Sequence, residues 1–571
     1  MPFASTPELP LQYTEEAQFY VATVYLTRTF FLKHLYHITH RGRLLNRPRT
    51  SPAVVVGTPA YLYYASKSEK HQTFDLAVKV KGADGRPEVT TRSIPLQPMK
   101  LVESRIRENA TLNTHQRPGG PIWKYATAAL ASNDPIEDAN AHQVIERDES
   151  DPSAPGDYLF FAVMDGHGGK ETSQLLSRVL ISAVALELSN LVTNPRSQPR
   201  AGLVQNLKSL LWSSSSQSTR RALDSDPQWV SRAIEDAFVK LDTELINAPI
   251  HVLASNIDEE ARKKQVLPDL SQHPLALPTM LPAISGSCAL MAVFDTAHRD
   301  LYVACTGDSR AVAGVWEKAP EGKGQWRVEV LTEDQTGRNP NELKRLQSEH
   351  PKDEANDVVR EGRILGGLEP SRAFGDARYK WPRQVQEALN QAFLVGNGRP
   401  LRPPPPLFKT PPYVTARPVV THRKLDFPTD GTEPGDKSLR FVVLATDGLW
   451  DQLSSEEVVS LVGGHLAGLK GTVPKSELPS LVPTSTGTMG VEGKNKKKPT
   501  ASGSWAFADD NVSAHLIRNA FGGGDEDHLR KMLSIPAPYS RRYRDDVTVT
   551  VVWWEDGKEE NAKVTSIKSK L

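Results

Sequence analysis

Strand-like runs that end or begin on a carboxylate recur along this chain, and they constrain its fold more than any other feature. Phe160-Phe161-Ala162-Val163-Met164 leads into Asp165-Gly166-His167-Gly168-Gly169. Phe441-Val442-Val443-Leu444-Ala445-Thr446 leads into Asp447, with Asp451 four residues on. Asp308 lies between the apolar runs 301–305 and 311–316. Asp545 and Asp546 lead into Val547-Thr548-Val549-Thr550-Val551, and Glu137-Asp138 precede the first strand pair.

An aspartate beside a glycine is by itself a common hairpin turn, and each position taken singly reads as a turn or cap. Five such segments, each beside glycine or a second acid, are harder to explain as turn chemistry. Strand ends converge at one edge of a sheet, so these carboxylates can meet at one site. Carboxylates held together repel each other unless a cation neutralises them. Oxygen-only ligands suit Mg²⁺ or Mn²⁺ rather than zinc or copper. A pair of such ions activates a water and clamps a phosphoryl group for in-line attack. His167 would then protonate the leaving alcohol.

The strand-like runs are 159–164, 288–294, 301–305, 311–316, 441–446 and 547–554. Helices are expected over 170–190 and 229–246, and from Ser454 to Val462, where Ser454 is the N-cap and Glu457 completes a capping box. The short turn between 301–305 and 311–316 predicts that these two strands pair, and hence antiparallel sheets. Helices outside them give a layered α/β sandwich.

Composition narrows the function classes. The net charge is +1, which gives no global signal for nucleic acid, and none is expected as a partner. An apolar fraction of 38% supports a large core, while 43 prolines imply much loop. Cys288 and Cys305 are the only cysteines, which excludes a disulfide framework and a cysteine-based zinc site. Both sit in apolar strands without a basic, glycine-rich phosphate loop, so neither is a nucleophile. No stretch reads as an ordinary transmembrane helix.

Residues 1–70 read as a targeting leader. Ala17 to Ser68 holds no acidic residue but carries Arg28, Lys33, Arg41, Arg43, Arg47 and Arg49, a pattern similar to a mitochondrial presequence. The apolar stretch from Pro52 to Ala65 is a candidate membrane-associating segment. Residues 121–555 read as one catalytic domain, interrupted by a polar stretch at 194–228, a rigid Pro403–Pro406 loop and an insertion at 472–506. That insertion, with the lysine-rich run 494–498, is expected to be disordered. A monomer is expected.

The order of motifs resembles the metal-dependent protein phosphatases of type 2C. The matching pieces are Ile136-Glu137-Asp138, Asp165-Gly166-His167-Gly168-Gly169, Ser285-Gly286-Ser287-Cys288-Ala289 and Gly307-Asp308-Ser309-Arg310. Leu331-Thr332-Glu333-Asp334-Gln335, Ser371-Arg372-Ala373-Phe374-Gly375-Asp376, Ala445-Thr446-Asp447-Gly448-Leu449-Trp450-Asp451 and Arg544-Asp545-Asp546-Val547-Thr548 follow in family order. The resemblance covers about 121–555. It implies two stacked antiparallel β-sheets flanked by helices, and a serine/threonine phosphatase acting on phosphoproteins with two Mg²⁺ or Mn²⁺ ions and a weaker third.

The resemblance also implies residue roles. Asp165 matches the carboxylate shared by both ions, with the Gly166 carbonyl as a ligand. Asp447 and Asp545 match direct ligands, Asp545 being preferred to Asp546 because the family's ligand is the first of the two. Glu137 and Asp138 match residues that act through bound waters. Asp308 and Asp451 match the third site, and His167 matches the general acid. Asp376 is assigned a supporting role. A catalytically inactive relative serving as a scaffold is the alternative; such relatives lose these carboxylates, which are present here.

One departure stands out. Many type 2C phosphatases carry a phosphate-gripping arginine four residues before the glutamate of the Glu-Asp pair, where this chain has Asn133. The mitochondrial pyruvate dehydrogenase phosphatase branch is similar here. So are Pro411-Pro412-Tyr413-Val414-Thr415-Ala416-Arg417-Pro418 and Tyr543-Arg544-Asp545-Asp546. With the basic leader, this points to mitochondria.

Overall fold

The run Phe160–Met164 is apolar at every position because both of its faces are covered. Phe161 and Val163 turn into a core between two sheets, while Phe160, Ala162 and Met164 are also buried, on the alternate positions of the strand. The computed structural model describes residues 72–81, 86–117, 120–147, 156–193, 223–264, 266–318, 324–426, 437–488 and 502–555. The leader and the apolar stretch 52–65 lie outside these residues. The compact unit begins at Gln72, upstream of the expected start at 121.

Along the chain, β1 (Thr73–Lys81) and β2 (Pro87–Pro95) form an antiparallel hairpin. β3 (Thr111–Gln116), β4 (Ile122–Leu130), β5 (Ala139–Glu146) and β6 (Asp157–His167) follow. The long helices Glu171–Thr193 and Pro227–Ser255 then lead to β7 (Gly286–Asp295), β8 (Asp300–Thr306), β9 (Arg310–Lys318) and β10 (Gly324–Val330). Next are the short β11 (Val359–Arg360), β12 (Arg363–Ile364) and β13 (Phe374–Gly375), then β14 (Val419–Lys424) and β15 (Lys437–Ala445). β16 (Gly471–Pro474), β17 (Thr484–Thr488), β18 (Ser504–Phe507) and β19 (Val547–Glu555) complete the series.

One sheet has the order β17-β10-β9-β15-β19-β4-β3, and the other β14-β8-β7-β6-β5 with β13 on β7. All of these pairs are antiparallel except β10 with β17. Trp123, Phe161, Phe294, Val442 and Trp554 fill the space between the sheets, and the Trp123 and Phe294 rings meet edge-on at 5.0 Å. In β15, Leu439 faces this core out of phase with Val442 and Leu444. A register shift between Leu439 and Phe441 makes that possible.

The expected hairpin between 301–305 and 311–316 does not form. β8 pairs with β7 and β14, whereas β9 pairs with β10 and β15, so the turn carrying Asp308 steps from one sheet to the other. Gly307 permits the step: its φ is +110°, and a Cβ there would lie 2.3 Å from the Cys288 Sγ.

The insertion expected to be disordered over 472–506 is ordered at both ends. β16 pairs with β18, and β17 joins the edge of the first sheet. Val473, Leu478, Val482, Trp505 and Phe507, scattered among polar residues, bury themselves in the core on that sheet's outer face. The lysine-rich run 494–498 lies outside the described residues. The Glu171–Thr193 helix also corrects an expectation, since by length and apolarity alone it could cross a membrane. Here that apolar surface packs on the second sheet and on the Pro227–Ser255 helix. The Ser454–Glu457 capping box forms as expected.

Candidate metal centre

Asp165 ends the apolar part of β6, Asp308 occupies the step between the sheets, and Asp447 opens a short helix directly after β15. Three distant segments thus reach one edge of the sandwich. Each of these aspartates offers a carboxylate oxygen within 4.8 Å of the others'. The Asp447 N–H also donates to the Asp165 Oδ2 at 3.4 Å. Asp451 lies one helical turn beyond, its N–H donating to the Asp447 carbonyl at 2.8 Å, and it is not in this group of three. Gly166 is pressed against the segment carrying the Glu-Asp pair: a Cβ on it would lie 2.1 Å from the Glu137 carbonyl oxygen.

The electrostatics are those of crowded acids. Burial, then Asp447, Asp138, Asp545 and Asp308, push the Asp165 carboxyl well above the usual range. Burial and Asp447 raise Asp545 to about 7. Asp138 is raised by burial and by Asp546 and Asp545. Its Oδ2 accepts from the Thr446 hydroxyl at 2.9 Å, while its Oδ1 is buried without a hydrogen-bond partner. An orphaned carboxylate oxygen beside an all-oxygen donor set fits a hard divalent cation or its bound water.

A carboxyl whose folded pKa is raised contributes stability below its unfolded pKa of about 4 and loses it as pH climbs through the folded value. The metal-free protein should therefore show a falling Tm between about pH 5 and pH 8, which Mn²⁺ restores at the upper end. Thermal denaturation in chelator and in Mn²⁺ measures this; a flat Tm in chelator would contradict the crowding.

Asp546 has a different task from Asp545. Its Oδ1 accepts from the Ser132 and Asn133 N–H groups at 2.5 and 2.8 Å. Its Oδ2 accepts from Asn133 Nδ2 at 2.9 Å and from the Glu137 N–H at 2.8 Å. It therefore fixes the loop that presents Glu137, whose own carboxyl is raised by burial and by Asp546. Asp546→Ala should strand three backbone donors and cost about 3 kcal/mol or more in urea denaturation; a loss below about 1 kcal/mol would contradict this role.

His167 stands at the end of β6, its Nε2 2.6 Å from the Asp376 Oδ2. Burial opposes its protonation, but Asp376 outweighs burial and the imidazole pKa is raised. Asp376 is held in a left-handed conformation, φ 48°, with its N–H donating to the Ser285 carbonyl at 2.9 Å. The cysteines are buried and free, as expected. Burial raises the Cys288 thiol, and Cys288 donates to the Asp308 Oδ1 at 3.2 Å, a neutral supporting contact. Sequence reasoning missed Arg541, which pairs with the Asp545 Oδ2; its signal was a cation four residues before that aspartate, one helical turn away.

Two stacked sheets thus bring acidic side chains to a shared edge, with an imidazole alongside. Residues 240–470 match the family model described as Protein phosphatase 2C. A protein phosphatase 2C homologue of Schizosaccharomyces pombe is 34% identical over 455 residues, covering 80% of this chain and 85% of the relative. A Saccharomyces cerevisiae protein named mitochondrial pyruvate dehydrogenase (acetyl-transferring) phosphatase 1 is 36% identical over 476 residues, 80% of this chain and 72% of the relative. The human protein named mitochondrial pyruvate dehydrogenase (acetyl-transferring) phosphatase 2 is 33% identical over 481 residues, 81% and 83% respectively. The chain belongs to the protein phosphatase 2C family and is a protein serine/threonine phosphatase.

Proposed function

We propose that this phosphatase dephosphorylates phosphoserine and phosphothreonine in mitochondrial proteins, without a phosphoenzyme, at a centre for Mg²⁺ or Mn²⁺. The observation that carries this reading is the convergence of the Asp165, Asp308 and Asp447 oxygens within 4.8 Å. Asp165, the Gly166 carbonyl, Asp447 and Asp545 would hold two ions, with Glu137 and Asp138 acting through water and Asp308 and Asp451 serving a weaker third. Bound ions supply an acidified water and neutralise phosphoryl charge. His167 delivers a proton to the leaving serine or threonine oxygen, and Asp376 keeps that imidazole protonated and aimed.

The pyruvate dehydrogenase complex is the proposed substrate, on the strength of the relatives' names, the Asn133 departure and the basic leader. Incubation of the phosphorylated complex with the full chain and Mn²⁺ should release phosphate faster than a matched amount of generic phosphopeptide does. Hydrolysis of the peptide with none of the complex would contradict the substrate while leaving the chemistry in place.

A further inference from the structure

The family's phosphate-gripping arginine is missing at Asn133, and Asn133 is occupied: its N–H and Nδ2 both bind Asp546. Three arginines stand on the neighbouring turn. Arg542 reaches the Lys79 carbonyl at 3.2 Å, and Arg544 is buried against the carbonyls of Ala131 and Met532. Arg541 alone of the three pairs with a carboxylate of the centre, Asp545, and its side chain is 48% exposed. The turn is fastened beside Asn133, because the Ser540 hydroxyl donates to the Ser132 carbonyl at 2.5 Å and Ser540 is fully buried. A cleft of about 480 Å³ opens along this loop, lined by Asn133, Glu137, Lys170 and Pro538.

We propose that Arg541 is the substrate-phosphate ligand of this enzyme, supplied by the turn next to the loop that usually carries it. The inference rests on the function proposed above. Asp545 holds the guanidinium at the rim of the acidic cluster with about half of that side chain exposed, where its planar fork can meet a phosphate with two parallel N–H donors. Lys170, the cation that lines the cleft, offers only a point charge.

The test uses the full chain loaded with Mn²⁺ and inorganic phosphate as the probe. Arg541→Ala should weaken phosphate binding by calorimetry, and raise KM for a phosphopeptide, by about tenfold to a hundredfold. Arg541→Lys should recover part of both. Mn²⁺ affinity should stay the same or tighten, since a competing cation has been removed. Unchanged phosphate affinity in Arg541→Ala overturns the proposal, as does a loss that follows Lys170→Ala instead. Weakened Mn²⁺ binding in both Arg541 variants overturns it too, by making Arg541 a part of the cluster's scaffold. A wild-type protein with no Mn²⁺-dependent hydrolysis removes the underlying function itself, and is read from the same plate.

Discussion

Asp165→Asn is expected to cut turnover on a phosphothreonine peptide by about a thousandfold or more, with the fold intact. An asparagine has the same shape but brings one neutral oxygen where the site is built around a charged carboxylate. The oxygens of Asp308 and Asp447 lie within 4.8 Å of the one it replaces, so the lost charge comes from within the acidic cluster itself. Activation of water and neutralisation of phosphoryl charge both depend on that charge, and each is worth orders of magnitude. The same substitution should raise the Tm of the metal-free protein, because Asp165 is pushed up by burial and by four neighbouring acids. Activity and stability moving in opposite directions is the signature of a functional charge. A variant that lost both together would instead have a structural role at this position.

The second large effect separates the acid from the rest of the site. His167→Gln and Asp376→Asn should each slow hydrolysis of a phosphoserine peptide, about a hundredfold for His167 and about tenfold for Asp376. On p-nitrophenyl phosphate both should stay within about threefold of wild type, because that phenol leaves without help from an acid. Gly286 offers a third probe. A Cβ there would lie 2.0 Å from the His167 Nε2 and 2.3 Å from the Asp376 Oδ2, so Gly286→Ala should displace the pair and copy the substrate dependence. Equal losses on both substrates would assign His167 and Asp376 to metal or substrate binding rather than proton delivery.

Much of this was legible in the sequence because the chemistry sits where local pattern is strongest. Strand-edge acids such as Asp165 and Asp447 follow long apolar runs, and the near-continuous burial of β6 and β15, covered on both faces, makes those runs easy to place. The step between sheets at Asp308 was not legible. A short turn between two strands reads as a hairpin, and only tertiary packing around Gly307 and Cys288 sends the chain elsewhere. The ends of the 472–506 insertion were misjudged for a related reason. Composition averages over a window, whereas Val473, Trp505 and Phe507 act singly by finding an existing core. Within the site, the preference for Asp545 over Asp546 came from motif order, whereas the loop that Asp546 ties down is visible only in the fold. Arg541 was overlooked because it sits among Arg542 and Arg544 in Ser540-Arg541-Arg542-Tyr543-Arg544, and only its four-residue spacing to Asp545 separates it from them.

Calorimetric titration of the metal-stripped full chain with Mn²⁺, followed on the same sample by phosphopeptide hydrolysis, tests the central claim most directly. Saturable Mn²⁺ binding is expected that Asp165→Asn and Asp447→Asn abolish or severely weaken, with hydrolysis rising as the sites fill and vanishing in chelator. A folded wild-type protein that binds no Mn²⁺, or variants that keep full Mn²⁺-dependent activity, would contradict it.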